Sequence, residues 1–213
     1  MDRTKKDIKA KDIFKKIGNI VQELGHREMD SLLSLKCPLG GYNLVFEELE
    51  YLVNKDTDFD SQFTLGKKLG EGGFAEVRLA IHKETNVEYV VKIINFELLA
   101  SQEQLHLLIR ELRVCKITNH KNVLKIYDSY LQVKSLYMVM EFCEKGSVFN
   151  FYRDNGPLTE VQLTFMAFEV LQALVHLNEL GIMHRDIKAS NILLTAQGEV
   201  KVSDFGTCCI ATP

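Results

Sequence analysis

The stretch that decides the fold reads His184-Arg185-Asp186-Ile187-Lys188-Ala189-Ser190-Asn191 and, further along, Ser203-Asp204-Phe205-Gly206. Asp186 and Asn191 are five positions apart, and Asp204 follows Asp186 by eighteen. Asp186 offers a carboxylate that can accept a proton, while Asn191 and Asp204 offer oxygen atoms of the kind that bind Mg2+. A hydroxyl nucleophile and magnesium-bound ATP require these groups together.

A glycine-rich turn lies upstream, between two segments of alternating hydrophobicity. It reads Gly70-Glu71-Gly72-Gly73-Phe74-Ala75-Glu76-Val77. Glycines at such a turn let backbone N–H groups approach phosphates closely. The strands predicted on both sides argue against the dinucleotide-binding fingerprint, which needs a helix directly after the loop. Alone, the turn is a weak signal, because glycine-rich hairpin turns are common.

Lys92 lies in a predicted strand, Tyr89 to Ile94, that is apolar on both faces. A lysine in such surroundings is unfavourable unless it is paired with an acidic group. The alternative is an edge strand from which the lysine extends into solvent. The motifs that follow Lys92 along the chain favour the paired state.

In this order, the motifs resemble those of the eukaryotic protein kinase family, serine/threonine type, and the resemblance covers residues 63–213. It implies ATP and Mg2+ as cofactors, with Asn191 and Asp204 as metal ligands. It also implies that Asp186 accepts the proton of a substrate hydroxyl. Lys188, which is typical of serine/threonine rather than tyrosine kinases, would steady the γ-phosphate.

The same resemblance implies roles for several supporting side chains. Lys92 would form an ion pair with Glu111, which stands nineteen residues on, in a predicted helix. The ring of His184 would pack beneath Phe205. The guanidinium of Arg185 would pair with a phosphorylated activation segment.

The resemblance assigns the nucleotide site to a set of backbone and apolar positions. Gly70 and Gly72 would lie beside the phosphates. Glu141 and Cys143 would form a hinge that follows the gatekeeper Met140 and binds adenine through its backbone. Val77, Val90 and Leu193 would surround the adenine ring. The apolar members could equally be plain core residues, and Cys143 could be either reachable by electrophiles or buried and inert. The chain departs from the family pattern at Ala75, which replaces the third glycine, and at Val90, which replaces an alanine.

Pattern and resemblance together predict an α+β, protein-kinase-like fold. It would have a complete N-terminal β-sheet lobe with one helix and only the start of the helical C-terminal lobe. Alternation predicts strands at 63–69, 77–81 and 89–94, with two more near 123–131 and 136–142. Capping boxes at Ser101 and Thr159 open two helices, and Gly181 ends the second. Apolar residues run almost all round this second helix, which is typical of a core helix.

We expect an N-terminal extension over residues 1–62 and a partial kinase domain over 63–213. Residues 63–143 would form the N-lobe and hinge, and residues 144–213 the start of the C-lobe. The extension is expected to be partly helical, with a polar linker at 54–60. Its helix would either dock on a partner or pack on the neighbouring domain; the residues with helical spacing are Ile13, Ile17, Ile20, Val21 and Leu24.

Composition narrows the function classes. The net charge is −3 and hydrophobic residues make up 46% of the chain, so nothing indicates a nucleic-acid partner. Residues 1–16 are basic, and we expect a solvated terminal segment rather than a segment that binds anionic lipid or nucleic acid. The 5 cysteines show no Cys-x-x-Cys spacing, which argues against a disulfide framework or a zinc site. No apolar run is long enough for a membrane span, so we expect an intracellular, cytoplasmic protein, with the nucleus not excluded.

The chain stops at Pro213, nine residues after Asp204, which leads us to expect a truncated gene product. The long helix would then expose Phe165, Met166, Phe168 or Leu171 to solvent.

Two functions are compatible with the sequence. One is an ATP-dependent serine/threonine kinase acting on an unidentified protein substrate. The other is a non-catalytic kinase remnant that binds nucleotide, or that docks a partner through its N-terminal helix or its exposed long helix.

Overall fold

The structure is a computed structural model that describes residues 52–54, 56–99, 102–132 and 134–210. The predicted helix over residues 13–24 therefore lies outside the described residues. The chain divides into two compact units. The first contains the described residues up to His106 together with Asp128–Val139, and the second contains Leu107–Tyr127 and the described residues from Met140 onward.

The main sheet has five strands in the order β1-β2-β3-β5-β4. β1, β2 and β3 are antiparallel neighbours, as alternation along the sequence predicts. The register of β1 against β2 shifts twice between Leu65 and Gly70, and the Arg78 guanidinium donates to the Gly66 carbonyl at 2.8 and 3.1 Å there. The strands are β1 (Phe63–Glu71), β2 (Ala75–His82), β3 (Glu88–Asn95), β4 (Ile126–Leu131) and β5 (Ser135–Met140).

An aromatic cluster covers one face of this sheet. Phe59, in the short helix α1 (Phe59–Gln62), has no exposed surface. Its ring stacks on Phe63 at 5.1 Å between centroids and meets Tyr137 edge-on at 4.8 Å and Tyr130 at 5.7 Å. Phe59 thus joins the core of the first unit, packed with the sheet residues Ala80, Val91, Ile93 and Val139.

The residues just before α1 are also attached to the sheet. The Asn54 N–H donates to the Ser129 carbonyl at 2.7 Å, and its side-chain amide donates to the Asp128 carboxylate. Within the segment 54–60, which is expected to be a polar linker, Asn54 and Phe59 are thus attached to the sheet, whereas Asp56, Asp58 and Asp60 are exposed. The reason is physical, because one fully buried aromatic ring outweighs the polar side chains around it. The domain boundaries at 62 and 143 stay predictions.

The second unit is built mainly from helices. α2 (Gln102–Ile117) belongs to this unit from Leu107 onward, and α3 (Val148–Asn155) and α4 (Glu160–Glu179) belong to it entirely. The unit also contains two short ladders, in which β6 (Ile182–Met183) pairs with β9 (Cys209–Ile210) and β7 (Ile192–Leu194) with β8 (Val200–Val202). The predicted apolar stripe of α2 is buried at Leu105, Leu108, Ile109 and Leu112. Its predicted cap, Ser101, lies outside the described residues. No helix in the described part of the chain is long and apolar enough to cross a membrane.

α4 begins with the predicted capping box, in which Thr159 and Gln162 exchange hydrogen bonds between side chain and backbone. Just past its end, Gly181 takes a φ of 70°. One face of the helix is buried through Val170, Ala173 and Leu177. The other carries an apolar stripe that is 49 to 79% exposed, formed by Val161, Phe165, Phe168, Leu171 and Val175. The predicted exposure of Phe165, Phe168 and Leu171 is confirmed, whereas Met166 packs against the core.

Candidate active site

Asp186 lies in the loop between β6 and β7, and two side chains from the same loop contact it. Lys188 Nζ donates to Asp186 Oδ2 at 2.7 Å, and Asn191 Nδ2 donates to the same oxygen at 3.0 Å. Asn191 Nδ2 also donates to the Asp186 carbonyl at 3.0 Å, which closes the loop. The Ser203 N–H and hydroxyl both donate to the Asn191 carbonyl, so the loop is attached to the end of β8.

This arrangement keeps Asp186 charged. The hydrogen bond from Lys188 lowers the pKa of Asp186 most, and the contact with Asn191 adds to it. The hydrogen bond to Asp186 raises the pKa of Lys188 in return. Near neutral pH the loop therefore presents a carboxylate beside an ammonium group, and both charged side chains are partly open to solvent.

His184 supports the loop from inside the unit. Its Nε2 lies 3.0 Å from the Ser203 carbonyl, and its Nδ1 lies 3.3 Å from the Asp186 N–H. A neutral ring protonated on Nε2 satisfies both contacts, because Nε2 then donates and Nδ1 accepts. The ring packs against Phe205 with centroids 5.1 Å apart, which confirms the predicted packing of these two residues.

Asp204 follows β8 with a φ of 65°, a left-handed conformation that few residues other than glycine adopt. Its carboxylate is exposed. Space around the next turn is tight, since a Cβ on Gly206 would lie 3.3 Å from Asp204 Oδ1 and 4.0 Å from Glu111 Oε2. Glu111, on α2 and only 7% exposed, therefore lies beside the Asp-Phe-Gly turn.

Two arginines hold the segment that follows. Arg185, with a φ of 67°, donates to the carbonyls of Thr207 at 2.7 Å and Cys208 at 3.3 Å. Arg110 on α2 donates to the same Cys208 carbonyl at 3.2 Å. Both guanidinium groups thus bind the backbone at the start of the activation segment.

The donor set suits a magnesium–nucleotide complex. The amide nitrogen of Asn191 donates to Asp186, so its amide oxygen is the atom of this side chain that could bind a cation. The Asp204 carboxylate is exposed. Among the described residues there is no group of three or more His, Cys, Asp or Glu side chains that could hold a metal by themselves. Mg2+ commonly binds through one or two side-chain oxygens plus phosphate and water, so this sparse set fits.

The predicted hinge follows β5. The Glu141 N–H donates to the Lys125 carbonyl at 2.9 Å. Within the described residues, the Glu141 carbonyl and the Cys143 N–H have no hydrogen-bond partner. The next residues run beside β7, since Lys145 N–H donates to the Leu194 carbonyl, and this brings Leu193 near the hinge.

The structure favours an inert thiol at Cys143. The residue is buried, and burial, aided by the nearby Glu141, raises the pKa of this thiol to about 12. Almost none of it is then thiolate near neutral pH, and the thiolate is the reactive form.

In the first unit, Lys92 shares one sheet face with the apolar residues predicted around adenine. Antiparallel pairing sets Val77 opposite Lys92 and Leu79 opposite Val90, and directly opposed residues project to the same side. This face is the reverse of the one covered by Phe59. Gly70 is opposite Val77, and a Cβ there would meet nothing within 4 Å, so the backbone at that turn is open to a ligand.

Each unit therefore brings together part of the predicted set. The first gathers Gly70, Gly72, Val77, Val90 and Lys92, and the second gathers Glu111, Glu141, Cys143, Asp186, Lys188, Asn191, Leu193 and Asp204. The ion pair between Lys92 and Glu111 stays a prediction, because these residues belong to different units.

Sequence reasoning overlooked Lys201, a buried lysine in the apolar strand β8. Its sequence signal is the same as that of Lys92, a lysine within an apolar strand.

The fold is of the protein-kinase type, and comparison with known proteins agrees. Residues 63–213 match the protein kinase domain family. The chain belongs to the protein kinase family.

Its relatives are serine/threonine kinases and kinases named for MAP kinase cascades. MAP3K epsilon protein kinase 1 of Brassica napus is 35% identical over 155 residues, which is 72% of this chain and 12% of the relative. Mitogen-activated protein kinase kinase kinase kinase 3 of Homo sapiens is 38% identical over 144 residues, 68% of this chain and 16% of the relative. Serine/threonine-protein kinase SMU1 of Mycosarcoma maydis is 37% identical over 153 residues, 72% of this chain and 20% of the relative. The chain thus spans a fifth or less of the length of these relatives.

Proposed function

We propose that this chain carries the nucleotide site and the catalytic loop of a serine/threonine protein kinase that uses Mg-ATP. The observation that carries the proposal is the contact of Asp186 with both Lys188 and Asn191. This contact supports the proposal because a charged base, a cation for phosphate and an amide for the metal would then belong to one short loop.

Each of these side chains has a distinct task in the proposed reaction. Asp186 orients the substrate hydroxyl and accepts its proton while the hydroxyl oxygen bonds to the γ-phosphorus and the bond from that phosphorus to the ADP oxygen breaks. Lys188 stabilises the charge on the γ-phosphate oxygens. Asn191 and Asp204 supply the protein oxygens for Mg2+, which neutralises charge on the phosphates when bound.

The hinge supports adenine as the base of the nucleotide. Its open carbonyl at Glu141 and open N–H at Cys143 are one acceptor and one donor on neighbouring backbone. Adenine offers the complementary pair along one edge, an amino donor and a ring-nitrogen acceptor. Gly70 and Gly72 would face the phosphates, Lys92 and Glu111 would form the ion pair that positions them, and Val77, Val90 and Leu193 would contact the ring.

The test is phosphate transfer by the purified 213-residue chain, with labelled Mg-ATP and a general protein substrate. We expect transfer that Asp186→Asn abolishes while Mg-ATP binding is retained. Asp154→Asn serves as the matched control, because Asp154 is an exposed carboxylate paired with Arg153 on α3. Equal transfer by wild-type protein and Asp186→Asn would overturn the assignment of the base.

A second function is that of a non-catalytic module that binds nucleotide or a protein partner, and the exposed apolar stripe of α4 favours the partner. A solvent-facing stripe of this size is typical of a surface that another protein covers. Stabilisation of the wild-type chain by Mg-ATP in thermal unfolding, with no transfer to any substrate or to itself, would support this function over the first.

A further inference from the structure

A buried ion pair joins the hinge to β8. Lys201 Nζ lies 2.9 Å from Glu141 Oε1, and only 9% of the lysine side chain and 19% of the glutamate side chain are exposed. The second carboxylate oxygen, Glu141 Oε2, accepts from the Lys125 N–H at 3.3 Å. Both oxygens of Glu141 are therefore occupied, and its backbone N–H is bonded to the Lys125 carbonyl as well.

The position of Lys201 links two parts of the proposed site. In the β7–β8 ladder it stands directly opposite Leu193, which is predicted to contact the adenine ring. It also stands three residues before Asp204, which is predicted to bind Mg2+. The Lys201 side chain thus connects β8 to the hinge segment that is predicted to bind adenine.

The charge state of Lys201 is maintained despite its burial. Desolvation lowers its pKa, but the hydrogen bonds and charges of Glu141 and Glu199 outweigh this and raise it overall. Breaking such a buried pair by removing one partner is costly, whereas the intact pair adds little net stability over apolar residues of similar size. Its presence is better explained by the geometry that it imposes than by the stability that it adds.

We propose that Lys201 is a positioning residue for adenine recognition. It holds the Glu141 carboxylate and thereby fixes the separation between the hinge backbone and Leu193 at which adenine binds. The proposal rests on the proposed function, since it concerns the same nucleotide. Its effect is specific to the base, because neither Lys201 nor Glu141 has a predicted contact with the phosphates.

The test compares two ligands on the full 213-residue chain by titration calorimetry. Adenosine reports on the hinge, and Mg-tripolyphosphate reports on the phosphate end alone. We expect Lys201→Met to weaken adenosine binding about tenfold, the scale of a hydrogen bond to a charged group, and to leave Mg-tripolyphosphate binding unchanged. Lys201→Arg, which keeps the charge, should restore most of the affinity for adenosine.

Glu199→Gln is the matched control. Glu199 also contacts Lys201, at 3.3 Å, but it lies immediately before β8 and 59% of its side chain is exposed. Its substitution should change neither affinity. Should Lys201→Met fail to fold, Glu141→Gln provides the same comparison from the other side of the pair, because it removes the charge at nearly constant volume.

The outcomes separate the two proposals. Wild-type affinity for adenosine in a folded Lys201→Met or Glu141→Gln variant would overturn the positioning role. An equal loss for both ligands would also overturn it, because it would indicate a general structural role. Failure of the wild-type chain to bind adenosine, Mg-ATP or Mg-tripolyphosphate would instead count against the proposed function itself.

Discussion

Asp186 owes both its charge and its direction to two side chains that follow it within five positions. Lys188 and Asn191 contact the same carboxylate oxygen, at 2.7 and 3.0 Å. In the proposed function, the other oxygen, Oδ1, would be the one that faces the substrate hydroxyl. Asp154 is a useful contrast, because its pKa is also lowered by a neighbouring cation, Arg153, yet no amide fixes its orientation.

Replacing Lys188 by Met should change the pH dependence of phosphate transfer. The hydrogen bond from Lys188 is the largest influence lowering the pKa of Asp186, so its loss raises that pKa. A base must be deprotonated to act, and the acidic limb of the pH–rate profile should therefore move to higher pH. The overall rate should also fall, because the γ-phosphate loses a cation.

The control for this prediction is Lys116→Met, at an exposed position on α2. It should leave the profile and the rate in place. An acidic limb that stays at the wild-type pH in Lys188→Met would contradict the assignment of Asp186 as the titrating base, whatever happens to the rate.

At the scale of elements, a buried polar contact adds to the apolar packing that attaches α4 to the rest of its unit. Asn122 donates to Glu169 at 2.6 Å and to the Val200 carbonyl at 3.0 Å, and its own carbonyl accepts from the Val202 N–H at 2.8 Å. Lys121 donates to both oxygens of Glu169. A single asparagine thus connects α4 to β8, the strand that leads into Asp204.

Asn122→Ala should lower the free energy of unfolding by about 2 to 3 kcal/mol, since it leaves a buried carboxylate and a buried carbonyl short of donors. Urea unfolding measures the change. Asn178→Ala, at an exposed position on the same helix, is the control and should have little effect. A loss below about 0.5 kcal/mol, the size of an ordinary surface effect, would show that the contact does not hold the helix.

The same variant should alter the pH dependence of stability. The hydrogen bond from Asn122 lowers the pKa of Glu169 most, followed by that from Lys121, to below its ordinary 4.5. A carboxyl with a lowered native pKa stabilises the fold above its unfolded pKa, and that stability is lost as the pH falls through the native value. In Asn122→Ala the native pKa moves back toward the unfolded one, so the loss of stability between neutral and acidic pH should be smaller.

At the scale of the whole molecule, the folded part begins before the segment that matches the protein kinase family. The match starts at residue 63, yet Phe59 is completely buried and Asn54 is bonded to β4. Tyr130 of β4 contacts the residues before 63, because its hydroxyl donates to Gln62 and its ring contacts Phe59. The described residues before 63, which are 52–54 and 56–62, therefore contribute to the fold of the first unit.

Phe59→Ala should reduce the free energy of unfolding by about 3 to 5 kcal/mol, the usual cost of removing a fully buried phenylalanine ring. Phe149→Ala on α3 is the matched control, because this ring is 54% exposed and its loss leaves no cavity. Equal stabilities of the two variants in urea would refute the view that the residues before 63 belong to the core.

The sequence predicted the strands and the loop of Asp186 because each has a local signal: alternation for the strands, and fixed spacing for the loop. It did not predict the packing of Phe59, since a lone aromatic between Asp58 and Asp60 has no periodicity to reveal a buried face. Lys201 was overlooked for a related reason. Its partner Glu141 is sixty residues away, and only the fold brings the two charges together.

α4 shows what the apolar composition of a helix leaves open when it is considered alone. Its composition predicts burial on all sides, and the buried positions Val170, Ala173 and Leu177 agree. Phe165 and Phe168 have the same hydrophobicity but lie on the opposite face. Periodicity identifies an apolar helix, but which of its faces is covered depends on the elements that pack against it.

The exposed stripe of α4 sets the conditions under which this chain stays in solution. Hydrophobic association weakens on cooling and strengthens with sulfate or phosphate salts. The protein should therefore remain dispersed in cold, dilute buffer and cluster on warming or salting, well below the temperature at which it unfolds. Purification steps that rely on ammonium sulfate or on room-temperature concentration would select for clusters, and a polar substitution at Phe168 is the direct remedy.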